Sequence, residues 1–207
     1  MYAVASLEGG INWATDTFGV APSYGGEHVG LGTRNALLSL GDTYLEIIAP
    51  DLAQAPANNL GQRFAELTEG GLVTWAVQGP LAEMARGLND SGVSTAGPHR
   101  AERKTAEGEL LVWELLFPAV TAHGGRMPFF IDWLDCAHPA ETNPRGGEFR
   151  SLTITDPGAS GLQKILNSLG LNVMVLEGEA ALSVDIETAK GMVTLSSTVE
   201  TATIAMR

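Results

Sequence analysis

The chain has 207 residues, of which 44% are hydrophobic and 17% are charged, a composition typical of a globular protein that buries a sizeable core. Its formal net charge of −12 argues against nucleic-acid binding, which requires clustered Lys and Arg. No apolar run reaches the roughly 18 residues of a transmembrane helix, and the N-terminus shows no signal-peptide pattern. Cys136 is the only cysteine, so an internal disulfide is excluded. We expect a cytoplasmic protein with neither a nucleic-acid nor a membrane partner.

One pattern occurs three times along the chain: a short apolar strand, a break, a helix and a closing glycine. The three copies run from Tyr2 to Gly19, from Trp75 to Gly92 and from Leu152 to Gly170. A repeated strand–helix unit predicts a fold assembled from copies, and copies that face each other usually enclose a cleft.

The first copy predicts a module of one strand, one helix and three further strands. A helix over Gly9 to Phe18 is followed by Gly19, which suits a helix stop. The glycine-rich segment around His28 is interpreted as a flexible turn. Apolar runs over 35–40 and 43–49, joined by Gly-Asp, predict a hairpin.

The second copy repeats this order after a linker at residues 52–71, in which a short helix is predicted over Gln62 to Leu67. A strand over Leu72 to Val77 leads into a helix that begins near Pro80, a residue tolerated in a first turn. The helix has an apolar stripe of Leu81, Met84, Ala85 and Leu88. Three more strands are predicted over Val93 to Glu107, Leu110 to Phe117 and Met127 to Leu134.

The third copy is shorter. It predicts a strand over Ser151 to Thr155, then a helix capped by Asp156 with Pro157 in its first turn. Strands are predicted over 173–176, 181–186 and 192–196, and the tail from Thr198 to Arg207 is interpreted as an edge strand. The predicted fold is α+β: a βαβββ module at 1–51, a linker at 52–71, a second module at 72–135, and a loop plus a partial third βαβ-type module at 136–207. All four segments are expected to form one compact unit.

Glu46 is the strongest candidate for chemistry. It lies between Leu45 and Ile47 in an apolar strand, and strand alternation places Tyr44, Glu46 and Ile48 on one face. Because Leu45 and Ile47 suit packing against a helix, Glu46 should point into the cleft. An enclosed carboxylate could serve as a general base beside a carbonyl. The structural alternative is a Glu that is paired within the protein.

Several other side chains are candidates for ligand binding, and each has a structural alternative. Asn35 opens an apolar strand and could bind a ligand or close a turn. Loop histidines can be merely exposed, and strand tryptophans are often core residues. The candidate substrate-binding residues are His28, Asn35, Tyr44, Trp75, Asp132, Trp133 and His138.

Three segments carry a resemblance to a known family. They are GEHVGLGTRNALLSLGDTYLEIIAPD (Gly26 to Asp51), PFFIDWLDCAHPAE (Pro128 to Glu141) and AKGMVTL (Ala189 to Leu195). The chain resembles glyoxalase-like domain proteins of the vicinal-oxygen-chelate superfamily. The resemblance implies paired βαβββ modules whose sheets curl around a cup, and it implies a homodimer.

The resemblance also raises the question of a metal. Superfamily enzymes hold a divalent metal with a His or Gln on the first strand of a module and a Glu on the last. Glu46 occupies the last-strand position, but the first-strand His is absent, and the strand at 72–77 offers none. No metal ligand is assigned, and the cofactor stays open: a divalent metal is one expectation, with an incomplete ligand set.

These observations leave three functions open. The first is a lyase or isomerase that acts on a small organic molecule next to a carbonyl, with Glu46 as the base. The second is a binding or sequestering protein of the same fold without catalysis. The third is a degenerate module in which the cup is filled by its own side chains.

Overall fold

Three β-sheets carry the fold, and helices pack against them. The computed structural model describes residues 1–28, 30–54, 60–104, 110–119 and 122–204, with the backbone alone at 103 and 104. The predicted α+β class with repeated βαβββ modules is confirmed.

The first module has the predicted order of one strand, one helix and three strands. Its elements are β1 (Tyr2–Ala3), α1 (Leu7–Phe18), β2 (Ser23–His28), β3 (Thr33–Ser39) and β4 (Tyr44–Pro50). The strand order is β2-β3-β4-β1, and β1 runs parallel to β4. Helix α1 is capped by the Ser6 side chain and ends at Gly19, which has a φ of 80°, so the predicted stop is confirmed.

The glycine-rich segment around His28, interpreted as a turn, is divided: Ser23–His28 forms strand β2, and a turn follows at residues 30–32. A register shift between Tyr24 and Gly26 accommodates the glycines, and Gly26 has a φ of 147°. Pairing with β3 stabilises an extended conformation that glycine residues do not favour by themselves. His28 is therefore placed at the end of a strand, directly opposite Thr33.

The predicted linker connects the modules and closes part of the first sheet. Residues 55–59 lie outside the described part of this linker. Helix α2 (Leu60–Ala65) corresponds to the predicted short helix. The run at 72–77, predicted as one strand, is divided between two sheets: β5 (Gly71–Leu72) pairs with β1, and β6 (Ala76–Gln78) enters the second sheet.

The second module repeats the topology of the first. It contains β6, α3 (Leu81–Asp90), β7 (Thr95–Lys104), β8 (Leu110–Pro118) and β9 (Phe129–Asp132). The strand order is β6-β9-β8-β7, and β6 runs parallel to β9 as β1 does to β4. The predicted apolar stripe of α3 packs into the core. Residues 105–107 of the predicted strand at 93–107 lie outside the described residues.

The third unit has the predicted order of elements with a different pairing. After α4 (Pro139–Thr142) come β10 (Glu148–Asp156), α5 (Ala159–Ser168), β11 (Met174–Glu177), β12 (Ala181–Thr188) and β13 (Gly191–Ser196). The strand order is β11-β10-β12-β13, so the first strand lies inside the sheet next to the second. The sequence repeat predicts the order of the elements, whereas the pairing of strands depends on tertiary contacts.

The C-terminal segment corrects two local predictions. The tail, predicted as an edge strand, forms helix α6 (Val199–Ala202), because Thr198 and Thr201 make a reciprocal capping box. Residues 205–207 of this tail lie outside the described range. Asp156 does not cap α5, since the N-cap residue is Gly158. Asp156 binds a buried arginine instead.

Arg126, Asp156 and His123 form a network that joins the second module to the third. Asp156 is 2% exposed, and its Oδ2 accepts from Arg126 Nε at 2.5 Å. Its Oδ1 lies 3.0 Å from His123 Nδ1 and accepts from the Gly158 N–H at 2.7 Å. Burial alone would raise the pKa of Asp156, but these hydrogen bonds from Arg126, Gly158 and His123 lower it overall. The network therefore depends on an ionised carboxylate.

Replacement of Asp156 should destabilise the protein strongly. Asp156→Asn leaves the Arg126 guanidinium buried without its counter-charge, and breaking a buried pair in this way costs about 3–5 kcal/mol in the free energy of unfolding. Urea denaturation followed by circular dichroism measures this loss.

Asp90→Asn is the matched control, because Asp90 is exposed at the end of α3. Its free energy of unfolding should stay within about 0.5 kcal/mol of the wild type. Equal stability of Asp156→Asn and Asp90→Asn would contradict the structural role of the network.

Candidate functional site

Strand β4 presents Glu46 to the interior of the fold, as its alternation predicts. Leu45 and Ile47 lie in the core cluster that includes residues of α1. The helix approaches closely: a Cβ atom at Gly10 would lie 2.8 Å from Ile47 Cγ2. Successive strand side chains point to opposite faces, so Glu46 faces away from α1.

Glu46 lies on the wall of a cavity of about 420 Å³, a volume within the range of small-molecule sites. All three sheets contribute to this cup. The first sheet and its flanking turns supply Met1, Leu40, Asp42, Thr43, Tyr44, Leu45, Glu46 and Leu72. The second sheet and its entry supply Thr74, Trp75, Ala76, Gln78, Phe129 and Ile131. The remaining lining residues are His138, Phe149, Leu152, Val173, Leu182 and Val184.

Two predicted site residues that do not line the cavity lie near the Glu46 carboxylate, and one of them donates a hydrogen bond to it. Asn35 is 7% exposed, and its Nδ2 donates to Glu46 Oε1 at 2.7 Å. The same Nδ2 lies 3.3 Å from His28 Nε2, and His28 Nδ1 lies 2.9 Å from Thr33 Oγ1. In the tautomer with its proton on Nδ1, His28 accepts from Asn35 and donates to Thr33 Oγ1. The three predicted residues therefore form one chain of hydrogen bonds.

One oxygen of Glu46 is held by a hydrogen bond, and the other is not. The Glu46 side chain is 12% exposed, and Oε2 receives no hydrogen bond from the described residues. Asn35 Oδ1 is buried and also has no partner among them. The carboxylate is thus positioned by one oxygen and free to contact a guest through the other.

His138 enters the cup because the segment after β9 docks on β3. Ser39 Oγ donates to the Ala140 carbonyl at 2.7 Å, which brings the start of α4 beside β4. His138 caps this helix: its Nδ1 accepts from the Ala140 N–H at 3.2 Å. Burial lowers the pKa of His138, although Glu141 opposes the shift. The ring is therefore neutral at pH 7, with its proton on Nε2.

An aromatic cluster supports His138 and Tyr44 where the first two sheets meet. The Tyr44 ring lies 5.4 Å from His138 and 6.2 Å from Trp133, both edge-on. Trp133 is 8% exposed and lies 5.5 Å from Trp113. Tyr44 and His138 thus line the cavity, and Trp133 packs behind them.

Trp75 and Asp132, two further predicted residues, differ in their position relative to the cavity. Trp75 lines the cavity, and its Nε1 donates to the Arg126 carbonyl at 2.9 Å, which connects the cup wall to the buried network. Asp132 is not among the lining residues. Its Oδ1 accepts from the Leu134 N–H at 2.9 Å in a turn where Leu134 has a φ of 52°.

Sequence reasoning missed the contribution of the third unit. Leu152, Leu182 and Val184 form a wall of the cup, and Phe149 lies at its edge. Their alternation along β10 and β12 indicates a buried face but does not say whether that face meets a helix or a cavity. Gln78 also lines the cup and was assigned no role.

The described residues do not fit a divalent metal site. Among them, no group of three or more His, Cys, Asp or Glu side chains comes together. His28 Nε2 is 3.8 Å from Glu46 Oε1, with the Asn35 amide beside both. The Met1 amine interacts electrostatically with this carboxylate. That amine donates to the Thr74 carbonyl at 3.0 Å, and burial lowers its pKa although Glu46 opposes the shift.

The family model for the glyoxalase-like domain matches residues 1–170. The chain belongs to the glyoxalase-like domain family. The match covers both βαβββ modules, whereas β11, β12 and β13 of the third sheet lie beyond it. The two modules have the repeated βαβββ topology that the sequence resemblance implied.

The chain is similar to several solved structures of low sequence identity. A hypothetical protein from Staphylococcus aureus is 17% identical with a TM-score of 0.58, covering 85% of this chain and 79% of its own. The methylmalonyl-CoA epimerase from Mycobacterium tuberculosis is 20% identical with a TM-score of 0.48, covering 64% and 84%. A variant of the Streptomyces coelicolor methylmalonyl-CoA epimerase in complex with 2-nitronate-propionyl-CoA is 19% identical with a TM-score of 0.49, covering 67% and 94%. None of the curated proteins compared with the chain matches it.

The protonation state of His138 is directly measurable. We expect its pKa to lie below the ordinary value of 6.5, with the proton of the neutral ring on Nε2. Long-range ¹H–¹⁵N NMR over a pH titration measures both, and the His138→Gln spectrum assigns the signals. A pKa at or above 6.5, or a proton on Nδ1, would contradict the helix-capping geometry.

Proposed function

We propose that this protein binds a small organic molecule in the cup and moves a proton next to its carbonyl group, as a lyase or isomerase does. Glu46 is the general base in this proposal. A carboxylate facing an apolar cavity, with one oxygen held and the other free, is the observation that carries the proposal. A carboxylate oriented in this way can take a proton from the carbon next to a bound carbonyl group.

The side chains around Glu46 suit this chemistry. Asn35 fixes the carboxylate through Oε1, which leaves Oε2 to face the carbon that loses its proton. His138 lines the same cavity as a neutral ring with Nε2–H as its donor. A donor aimed at the carbonyl oxygen would stabilise the negative charge that forms there when the proton leaves. No step in this mechanism uses a metal.

Binding without catalysis is the second candidate. The incomplete metal ligand set and the apolar wall from the third sheet favour a protein that sequesters its ligand. The third possibility of the sequence, a cup filled by its own side chains, is disfavoured by a cavity of about 420 Å³.

Location and assembly belong to the proposal as well. Among the described residues no helix is long and apolar enough to cross a bilayer. A cytoplasmic location is proposed from the sequence pattern alone, and a homodimer is proposed from the family resemblance alone. Size-exclusion chromatography with light scattering measures the oligomeric state.

Loss of the Glu46 carboxylate should abolish proton transfer. We expect the wild type to accelerate deuterium incorporation next to the carbonyl in a panel of small ketones, aldehydes and esters in D₂O. Glu46→Gln keeps the shape and removes the base, so the rate should fall by about 10²–10⁴-fold. Proton NMR measures the exchange.

Glu27→Gln is the matched control, because Glu27 is exposed on β2 outside the cavity lining. Its exchange rate should equal that of the wild type. Unchanged exchange in Glu46→Gln would remove Glu46 from the mechanism, and a wild type that exchanges no compound would favour the binding protein.

Asn35 should act as a positioning residue. Asn35→Ala releases Glu46 Oε1, and misplacement of the base should lower kcat up to about 10²-fold with a smaller change in KM. Asn12→Ala is the control, because Asn12 is exposed on α1. A thermal melt checks the fold of each variant. A kcat of Asn35→Ala equal to that of Asn12→Ala would refute the role.

A further inference from the structure

We infer that the ligand of the cup carries a positive charge next to an apolar body. This inference rests on the proposed function only in taking the cavity as the ligand site. It narrows the substrate class to cationic organic molecules such as amines and disfavours carboxylates and phosphates. Three features carry it: the charges on the cavity wall, the aromatic side chains beside them, and the pairing of neighbouring arginines.

The charged side chains on the cavity wall are acidic. Glu46 lies on the wall, and Asp42 lies in the exposed turn between β3 and β4. The lining that the structure describes contains no Lys or Arg. A carboxylate guest would meet like charge without a counter-ion, whereas a cation would gain two attractive partners.

The two basic groups of the lining do not reverse this balance. His138 is neutral at pH 7, since its Nδ1 is engaged by the Ala140 N–H and burial lowers its pKa. The amine of Met1 is bound to the Thr74 carbonyl, and burial lowers its pKa too. Burial therefore disfavours the charged form of both groups.

Aromatic rings provide the second feature. Tyr44, Trp75, Phe129 and Phe149 all line the cavity. The negative face of an aromatic ring attracts ammonium and quaternary ammonium groups, and this attraction grows when the site is desolvated. The aliphatic wall of Leu152, Leu182 and Val184 would receive the apolar part of the same molecule.

Arginines on neighbouring segments are already paired. Arg126, whose carbonyl binds Trp75, forms its ion pair with Asp156. Arg145, which bridges to Ser39 of β3, pairs with Glu148. These guanidinium groups therefore have acidic partners of their own, and the net charge of −12 adds a long-range attraction for cations.

A matched set of probes tests the inference. Benzylamine, benzyl alcohol and benzoate share one ring and differ in charge at pH 7. We expect benzylamine to bind the purified protein about tenfold more tightly than benzyl alcohol, and benzoate to bind more weakly than either. Isothermal titration calorimetry or ligand-observed NMR measures the three affinities. Benzoate binding as tightly as benzylamine would overturn the inference.

Variants identify the groups responsible. The preference for benzylamine over benzyl alcohol should disappear in Glu46→Gln. In Asp42→Asn it should fall by only about two- to threefold, because Asp42 is exposed to water. Glu27→Gln should keep the full preference. An undiminished preference in Glu46→Gln would also overturn the inference.

The outcomes separate this inference from the proposed catalysis. Loss of deuterium exchange in Glu46→Gln together with equal binding of the three probes would refute the cationic ligand and leave the base in place. A benzylamine preference in a protein that exchanges no carbonyl compound would refute the catalysis and leave the cationic site.

Discussion

The site depends on the close packing of α1 against β4. Because Gly10 has no side chain, the helix approaches Ile47 to within van der Waals contact, and Leu45 joins the same core. A β-strand has two faces, so this packing directs Glu46 into the cup. A shift of one residue in the register of β4 would exchange the faces and bury the carboxylate under the helix. The apolar core therefore decides where the acidic group is.

The cup is completed by elements outside the two modules. Helix α2 and Ile204 cover Ile48 on the face of the first sheet that carries Glu46, and the third sheet forms an apolar wall. The buried Arg126–Asp156 pair joins the third unit to the segment that positions Trp75. Cavity shape is thus linked to the stability of contacts between units that are far apart in sequence.

Electrostatics and apolar surface act together in this cup. A carboxylate beside aliphatic and aromatic walls attracts a cationic group more strongly than a carboxylate in bulk water does. The Asn35 amide stabilises one oxygen without neutralising the charge. One arrangement of Glu46 and Asn35 therefore serves both proton transfer and the recognition of a positive ligand.

The sequence by itself determined the order of elements and the face of Glu46. Apolar periodicity and helix-ending glycines predicted α1, α3 and α5, and strand alternation in β4 predicted the orientation of Glu46, because these patterns act within one element. Local signals failed where pairing competed with propensity: the glycines of β2 became a strand, and the run at 72–77 was divided between sheets.

Only the tertiary structure decided which candidates meet. It placed Asn35 and His28 behind Glu46, put Tyr44 and His138 on the cavity wall, and turned the Asp132 carboxylate to a local hydrogen bond with the Leu134 N–H. The sequence also could not show that the third unit pairs its strands differently and closes the cup. The reason is physical: contacts between distant segments depend on how whole sheets pack, and that information is not carried by the periodicity of any one segment.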